Sequence, residues 1–198
     1  MDEKLSLEDA QKLIKVARKS IEYTMATGQK YKDDIPHKFL DKRGVFVTLK
    51  KFPSGDLRGC IGFPGPVIPL WLGVIEAASS AAFSDTRFQQ IDTNELDEIT
   101  VEISVLTVPE EITVSKGRIA KKIEVGKDGL IIRKGFQSGL LLPQVGFEYN
   151  WTSEEFLQHT CMKAGLNSET WKDEDTRVFK FQAQIFHEVK PNGEIEED

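Results

Sequence analysis

The chain has 198 residues, of which 39% are hydrophobic and 29% are charged, and its formal net charge is −6. This composition is typical of a water-soluble globular protein, and no apolar run approaches the ~18 residues that cross a bilayer. The negative charge disfavours nucleic acid as a partner, although it leaves room for a local basic pocket.

The cysteine content and the first residues predict a cytoplasmic protein. Cys60 and Cys161 lie far apart in the chain, which is not the spacing of a disulfide framework. Residues 1–4 lack the basic and then apolar order of a signal peptide. We therefore expect reduced thiols, a cytoplasmic location and no membrane partner.

The first half of the chain predicts a helix, a hairpin and a second helix. Apolar residues recur at helical spacing over about 7–26, after a serine-based capping box. Two β-branched or aromatic runs, 45–49 and 57–62, flank a turn that contains proline and glycine, so they should form a hairpin. The run 70–82 is apolar and ends in small residues, which favours close packing of this helix against the sheet.

The second half predicts three strands or hairpins and one further helix. Residues 99–105 alternate cleanly, 129–133 and 139–142 read as a hairpin, and 178–185 read as one long strand. A second capping box begins a helix over 152–164. Because the hairpins imply antiparallel pairing, we predict an α+β fold, with an antiparallel sheet flanked by helices.

The composition also suggests two subdomains. The smaller one, an inserted α+β subdomain, lies at about residues 109–143, where lysine and glycine become frequent. The acidic residues 190–198 predict a disordered tail.

The hexapeptide 57–62, with the sequence LRGCIG, is the candidate functional centre. In a strand, Arg58, Cys60 and Gly62 would share one face. A nearby cation favours the thiolate form of a cysteine, so Cys60 is a candidate nucleophile or covalent anchor. Gly59 and Gly62 would leave open backbone that a ligand or another chain can approach.

Asp85 and Arg87 form a second charged pair at the exit of the buried helix. Together with Arg58 they predict either a buried or rim salt bridge that fixes the hairpin to the helix or a clamp for a carboxylate or phosphate. The two are compatible, since Asp85 could orient one arginine while the other faces a ligand. Glu102 and Ser104 lie on the polar face of the strand 99–105 and could face the same cleft. We therefore group these residues as candidate ligand-binding residues.

The sequence offers no base beside Cys60 and no metal-binding motif such as CxxC or HExxH. The three histidines have no spacing that pairs them with this thiol. We accordingly predict neither a metal site nor a cofactor.

The order of motifs resembles the AMME chromosomal-region (AMMECR) family. The unbroken LRGCIG is its hallmark, and supporting matches include 45–49, 81–88, 102–106, 141–145 and 151–166. The resemblance extends from about Leu5 to Val189. It implies that both ends of the chain, at about residues 1–108 and 144–189, form a larger subdomain that holds the smaller one, with the hexapeptide near their junction. It also implies an association with Memo-like and radical SAM proteins.

Two classes of function remain open. The first is a domain that handles a small molecule or a substrate, including an enzyme that uses the Cys60 thiol beside Arg58 and Arg87 in a groove between the subdomains. The second is a protein-interaction adaptor in which the groove docks a partner without catalysis. Whether the protein is an enzyme stays open on the sequence alone.

Overall fold

The computed structural model describes residues 4–198, and contact density divides the chain into two units. One unit combines the chain up to Leu106 with Gln184–Asp198, and the other is the intervening segment Thr107–Ala183. Both contain antiparallel strands and helices, which confirms the predicted α+β class. Residues 1–3, where the larger subdomain was expected to begin, lie outside the described residues.

Four helices and nine strands are described within residues 4–198. The helices are α1 (Leu7–Thr27), α2 (Leu70–Phe83), α3 (Pro143–Glu148) and α4 (Ser153–Lys163). The strands are β1 (Val45–Lys51), β2 (Leu57–Phe63), β3 (Ile99–Leu106), β4 (Glu110–Glu111), β5 (Gly129–Lys134), β6 (Gln137–Leu141), β7 (Arg177–Phe181), β8 (Ala183–Glu188) and β9 (Ile195–Glu197). Short 3-10 helices occur at His37–Phe39, Thr93–Asp97, Lys116–Arg118, Ala120–Lys122 and Ser168–Lys172.

The first unit is built on a five-stranded sheet with the order β2-β1-β3-β8-β9. The predicted hairpin is confirmed, since β1 pairs antiparallel with β2, and β1 also pairs antiparallel with β3. Alternate residues of these strands, such as Val47 and Ile103, enter a core that includes apolar residues of α1 and α2. β2 is the edge strand at one end of this order, so among the described residues one side of its backbone has no strand neighbour.

Local sequence signals set the ends of α1. The Ser6 hydroxyl accepts the N–H of Asp9, and the Asp9 carboxylate accepts the N–H of Ser6, which is the predicted capping box. Gly28 ends the helix in the left-handed conformation, with φ of 67°.

The second unit is built on a four-stranded sheet with the order β4-β7-β5-β6. The predicted hairpin of β5 and β6 is confirmed, and β7 pairs with the other side of β5. Apolar residues of α4, such as Phe156 and Leu157, pack in a core with residues of β5 and β7.

Two boundaries differ from the sequence-based prediction. Residues 144–183, assigned to the larger subdomain, belong to the second unit because β7 pairs with β5, with Phe179 opposite Ile131. The predicted long strand 178–185 is two strands, and its break lies at Gln182. There the Gln182 carbonyl accepts the N–H of Thr107, and the Gln182 N–H donates to the Thr107 hydroxyl oxygen.

The predicted disordered tail is also wrong for its last part. Ile195–Glu197 form β9, which pairs antiparallel with β8. A turn closed by the N–H of Val189 and the carbonyl of Glu194 reverses the chain. Ile195 then packs against the core of the first unit, which adds apolar contact to a segment that looked only acidic.

Candidate functional site

The hexapeptide lies on the edge strand β2 and is held from both sides. Toward the sheet, Cys60 is opposite Thr48 and Gly62 is opposite Phe46 on β1. The register shifts between Leu49 and Lys50, because β2 contributes the additional residue Arg58 at that point. This bulge interrupts the alternation on which the predicted pairing of Arg58 with Cys60 depended.

Arg58 is buried and makes a structural ion pair. Its Nε and Nη2 donate to the two carboxylate oxygens of Glu95 at 2.6 and 2.8 Å. Its Nη1 and Nη2 also donate to the carbonyls of Gln89 and Gln90. The hydrogen bond from Arg58 lowers the pKa of the Glu95 carboxyl below its usual value. These bonds occupy most of the guanidinium, so Arg58 fixes β2 to the segment that follows α2.

The close approach that the two glycines allow is made by the chain itself. A Cβ at position 59 would lie 2.2 Å from the carbonyl oxygen of Ala81, so β2 and α2 touch through backbone. A Cβ at position 62 would lie 2.3 Å from the Val45 carbonyl oxygen and 2.5 Å from the Phe46 ring. Gly59 and Gly62 therefore position the strand, and Phe46 covers the space where the second side chain would be.

Asp85 is the buried anchor of the edge strand. Its carboxylate accepts the N–H of Cys60 at 2.9 Å, and it also accepts the main-chain N–H and the guanidinium of Arg87. The Arg87 hydrogen bonds, opposed by burial, hold the pKa of Asp85 well below its ordinary value. The carboxylate therefore remains ionised at neutral pH and connects the exit of α2 to β2.

Arg87 is fixed at one side and open at the other. Its Nε and Nη2 donate to Asp85 at 2.9 and 2.7 Å, and Nη2 also donates to the Cys60 carbonyl at 3.2 Å. The guanidinium carbon lies 5.5 Å from the centre of the Phe88 ring. The Arg87 side chain is nevertheless 56% exposed, whereas that of Asp85 is 4% exposed. Within residues 4–198, Nη1 of Arg87 has no hydrogen bond.

The Cys60 thiol is partly buried and lies next to Arg87 rather than to a base. Its sulfur receives one hydrogen bond, from the Thr48 hydroxyl at 3.4 Å. Burial raises the pKa of the Cys60 thiol, although the Thr48 hydrogen bond and the charge of Arg87 act in the opposite direction. The cation that acts on this thiol is therefore Arg87, and at neutral pH the sulfur is mainly protonated.

Glu102 and Ser104 are buried on β3, in line with residues of β1. Glu102 is opposite Thr48, and its carboxylate binds the Lys50 ammonium at 2.6 Å. Ser104 is opposite Phe46, and its hydroxyl has no hydrogen-bond partner among the described residues. The strand register therefore places Cys60, Thr48 and Glu102 in one row across β2, β1 and β3.

Sequence reasoning missed three contributors to the site: Thr48, Phe88 and Glu95. Thr48 was only part of an apolar strand pattern, and nothing local shows that its hydroxyl faces the thiol. Glu95 carries a recognisable signal, since it forms a capping box with Asp92 at the start of the 3-10 helix. That signal locates the turn, but it does not reveal the ion pair with Arg58.

Within residues 4–198, no group of three His, Cys, Asp or Glu side chains is arranged to hold a metal ion. In the same part of the chain, no helix combines the length and the apolar character needed to cross a bilayer.

The fold and site define a class of α+β proteins in which an LRGCIG edge strand is hydrogen-bonded to the exit of a helix. A sequence model of the AMMECR1 family matches residues 14–186, and the chain belongs to this family. Protein MK0488 of Methanopyrus kandleri is 46% identical over 200 residues, covering 100% of this chain and 97% of the relative. Protein PF1979 of Pyrococcus furiosus is 49% identical over 188 residues, covering 92% of this chain and 90% of the relative.

The crystal structure of the uncharacterised protein PH0010 from Pyrococcus horikoshii has the same fold. It superimposes with a TM-score of 0.88 at 48% sequence identity, and the match covers 94% of each chain. The predicted family and fold class are therefore both confirmed.

Proposed function

We propose that this protein binds a small molecule, or the exposed part of a larger substrate, through a carboxylate or phosphate group that contacts Arg87. One observation carries the proposal. The Arg87 guanidinium is held by a buried carboxylate and by the Cys60 carbonyl, yet more than half of the side chain is exposed.

An arginine held in this way can bind an anion with a side chain that is already in position. A guanidinium presents five N–H donors in one plane, so it can bind one carboxylate and still donate to a second anion. Asp85 and Cys60 use Nε and Nη2, so Nη1 stays available. Because the side chain is already ordered, binding costs less conformational entropy than at a mobile surface arginine.

Cys60 contributes a neutral contact in this proposal. A nucleophilic cysteine needs a lowered pKa or an adjacent base. Here burial raises the pKa of the thiol, and Thr48 is the hydrogen-bond partner of the sulfur. The alternative, an enzyme with Cys60 as nucleophile, requires a ligand that reverses this effect. Replacing Cys60 by serine should therefore leave anion binding intact.

The adaptor alternative has less support from the edge strand. A partner that adds a strand to β2 would need the main-chain groups that face away from β1. At Cys60 both of these groups are already bonded, the N–H to Asp85 and the carbonyl to Arg87. Such capping is a common way to protect a sheet edge. The Memo-like and radical SAM partners implied by the family resemblance stay predictions.

Titration with acetate and with inorganic phosphate, followed by calorimetry, tests the proposal. We expect weak binding by the wild type and at least about ten-fold weaker binding by Arg87→Gln, since a charge-assisted bond contributes ~1.5–3 kcal/mol. Arg87→Lys keeps the charge but loses the planar fork, so its affinity should lie between the two. The matched control is Arg177→Gln, because Arg177 is also exposed, paired with a carboxylate and placed over a phenylalanine ring.

Thermal unfolding of each variant must accompany the titration, because removing Arg87 leaves the charge of the buried Asp85 with fewer partners. Arg87→Lys retains that charge balance and keeps the test valid if Arg87→Gln unfolds. The proposal fails if neither anion binds to the wild type. It fails equally if Arg177→Gln weakens binding as much as Arg87→Gln does.

A further inference from the structure

A second feature of the first unit is a groove between α1 and the turn that joins β8 to β9. Its volume is about 340 Å³, within the range of small-molecule sites. The polar and charged side chains that line it are Gln11, Lys15, Arg18, Lys19, Glu22, Glu188 and Asn192. All of these residues belong to one unit and none contributes to the Arg87 site.

The floor of the groove is a buried, fully organised ion pair. Arg18 donates to both carboxylate oxygens of Glu188 at 2.7 and 2.6 Å, and it also donates to the carbonyls of Leu96 and Ile99. Glu188 in addition accepts the N–H of Val101. The charge of Glu188 is therefore compensated inside the protein, so the floor does not repel an anion.

The rim of the groove carries uncompensated positive charge. Lys15 and Lys19 lie four residues apart on α1 and hence on the same face of the helix. Neither lysine forms an ion pair with any residue in the range 4–198. Glu22 is the one acidic residue of the rim, so the rim has a net charge of about +1 on a chain whose net charge is −6.

The opposite wall adds neutral donors. Asn192 has φ of 56°, and Gly193 follows it in the turn closed by the Gly193 N–H and the Lys190 carbonyl. Asn192 and Gln11 of α1 line the same groove. Two ammonium groups with two neutral amides suit a compact multivalent anion, since lysine binds phosphate as a point charge.

We propose that this groove is a second binding site and that it takes a small molecule carrying phosphate groups. The ammonium groups of Lys15 and Lys19 bind the phosphate oxygens. Gln11 and Asn192 donate to the remaining oxygens, and the Arg18–Glu188 pair keeps the floor in place. The site is independent of Arg87, and each can exist without the other.

Titration of the ¹⁵N-labelled full chain with inorganic pyrophosphate tests this inference by NMR. We expect the amide signals of Asn192 and Gly193 to shift in a saturable way. Lys15→Met and Lys19→Met should each weaken binding by about three-fold to five-fold, as expected for single exposed charges, and the double variant should abolish it. Glu22→Gln should strengthen binding, because it removes the opposing charge.

Lys12→Met is the matched control, since Lys12 lies on the same helix, changes the net charge equally and pairs with Glu8 outside the groove. The inference is overturned if Lys12→Met weakens binding as much as Lys15→Met does. It is also overturned if pyrophosphate shifts no signal near Asn192. Arg87→Gln should leave these shifts unchanged, which separates this site from the one on β2.

Discussion

Two arginine–carboxylate pairs, one in each unit, have nearly the same geometry and different surroundings. Arg87 donates through Nε and Nη2 to Asp85, and Arg177 donates through the same atoms to Glu111. Each guanidinium lies over a phenylalanine ring, and the two arginine side chains are 56% and 59% exposed. The carboxylates differ, since Asp85 is 4% exposed and Glu111 is 34% exposed.

This difference decides what each pair can do. Asp85 also accepts the main-chain N–H groups of Cys60 and Arg87, so it connects two elements and holds its arginine in place. Glu111 binds Arg177 on the neighbouring strand, and among residues 4–198 its carboxylate accepts no main-chain N–H. A buried carboxylate holds its exposed arginine in one position, so that the guanidinium can bind an anion without first being ordered. A pair in which both side chains are exposed contributes little to the free energy of folding.

The largest loss of stability is expected when the contact between β2 and α2 is disturbed. This contact also positions Asp85. Gly59→Ala places a Cβ 2.2 Å from the carbonyl oxygen of Ala81, and neither backbone segment can move easily. We expect a loss of about 3 kcal/mol or more in the free energy of unfolding, measured with urea. Gly65→Ala is the control, because a Cβ there meets no atom within 4 Å. Equal stability of the two variants would show that the strand does not depend on this contact.

The next largest effect is a difference in stability between variants of the two carboxylates, Asp85 and Glu111. Asp85→Asn removes the charge that binds Arg87 and Cys60, and we expect it to lower the free energy of unfolding by ~2–3 kcal/mol. Glu111→Gln should leave the unfolding midpoint nearly unchanged, as expected for a surface pair. Urea unfolding of both variants at pH 7 measures the difference. Similar losses for the two would contradict the distinction drawn between the pairs.

The amino-acid sequence predicted the elements of this site better than its contacts. The hairpin of β1 and β2 and the small residues of α2 followed from local pattern, and Gly59 against Ala81 is the contact that those residues permit. A salt bridge between the hairpin and the exit of α2 was one of the two predictions for Arg58. Its partner Glu95 did not follow, because a bulge changes the register of β2 and Glu95 comes from a distant turn. Side-chain pairing of this kind depends on tertiary distances that no local pattern encodes.

The boundary between the two units also could not be predicted from local pattern. Residues 178–185 have the alternation of a single strand, yet the chain changes sheet at Gln182. Alternation reports which residues face a core, and it is the same whichever sheet provides that core. The acidic tail was misjudged because β9 is held by pairing with β8 and by the packing of Ile195, which are both non-local.

A smaller effect is expected on the pH dependence of stability. The pKa of Asp85 is lower in the folded protein than its ordinary value of 3.8, so its stabilisation is complete well above that value, from about pH 5, and is lost progressively as pH falls. The difference in unfolding free energy between wild type and Asp85→Asn should therefore be constant from pH 5 to 7 and shrink below pH 4. A difference that grows on acidification would contradict the ion pair.

The smallest effect is expected on the alkylation rate of the Cys60 thiol. Because burial raises the pKa of Cys60, its alkylation by iodoacetamide at pH 7 should be slower than that of a model thiol and should increase with pH up to pH 9 and beyond. Mass spectrometry of the labelled peptide measures the rate, with Cys60→Ser as the control for reaction at Cys161. A rate that is already maximal at pH 7 would restore the nucleophile hypothesis.

The account depends most on Arg87 being ordered and accessible at the same time. The Nε–H signals of Arg87 and Arg177, assigned with the Arg→Lys variants, report the order of each side chain and its response to inorganic phosphate by ¹⁵N NMR. We predict an order parameter for Arg87 near the ~0.85 of rigid backbone and below ~0.6 for Arg177. Phosphate should shift the Arg87 signal in a saturable way and leave Arg177 unaffected. Equal disorder of the two side chains, or an Arg87 signal that ignores phosphate, would contradict the account.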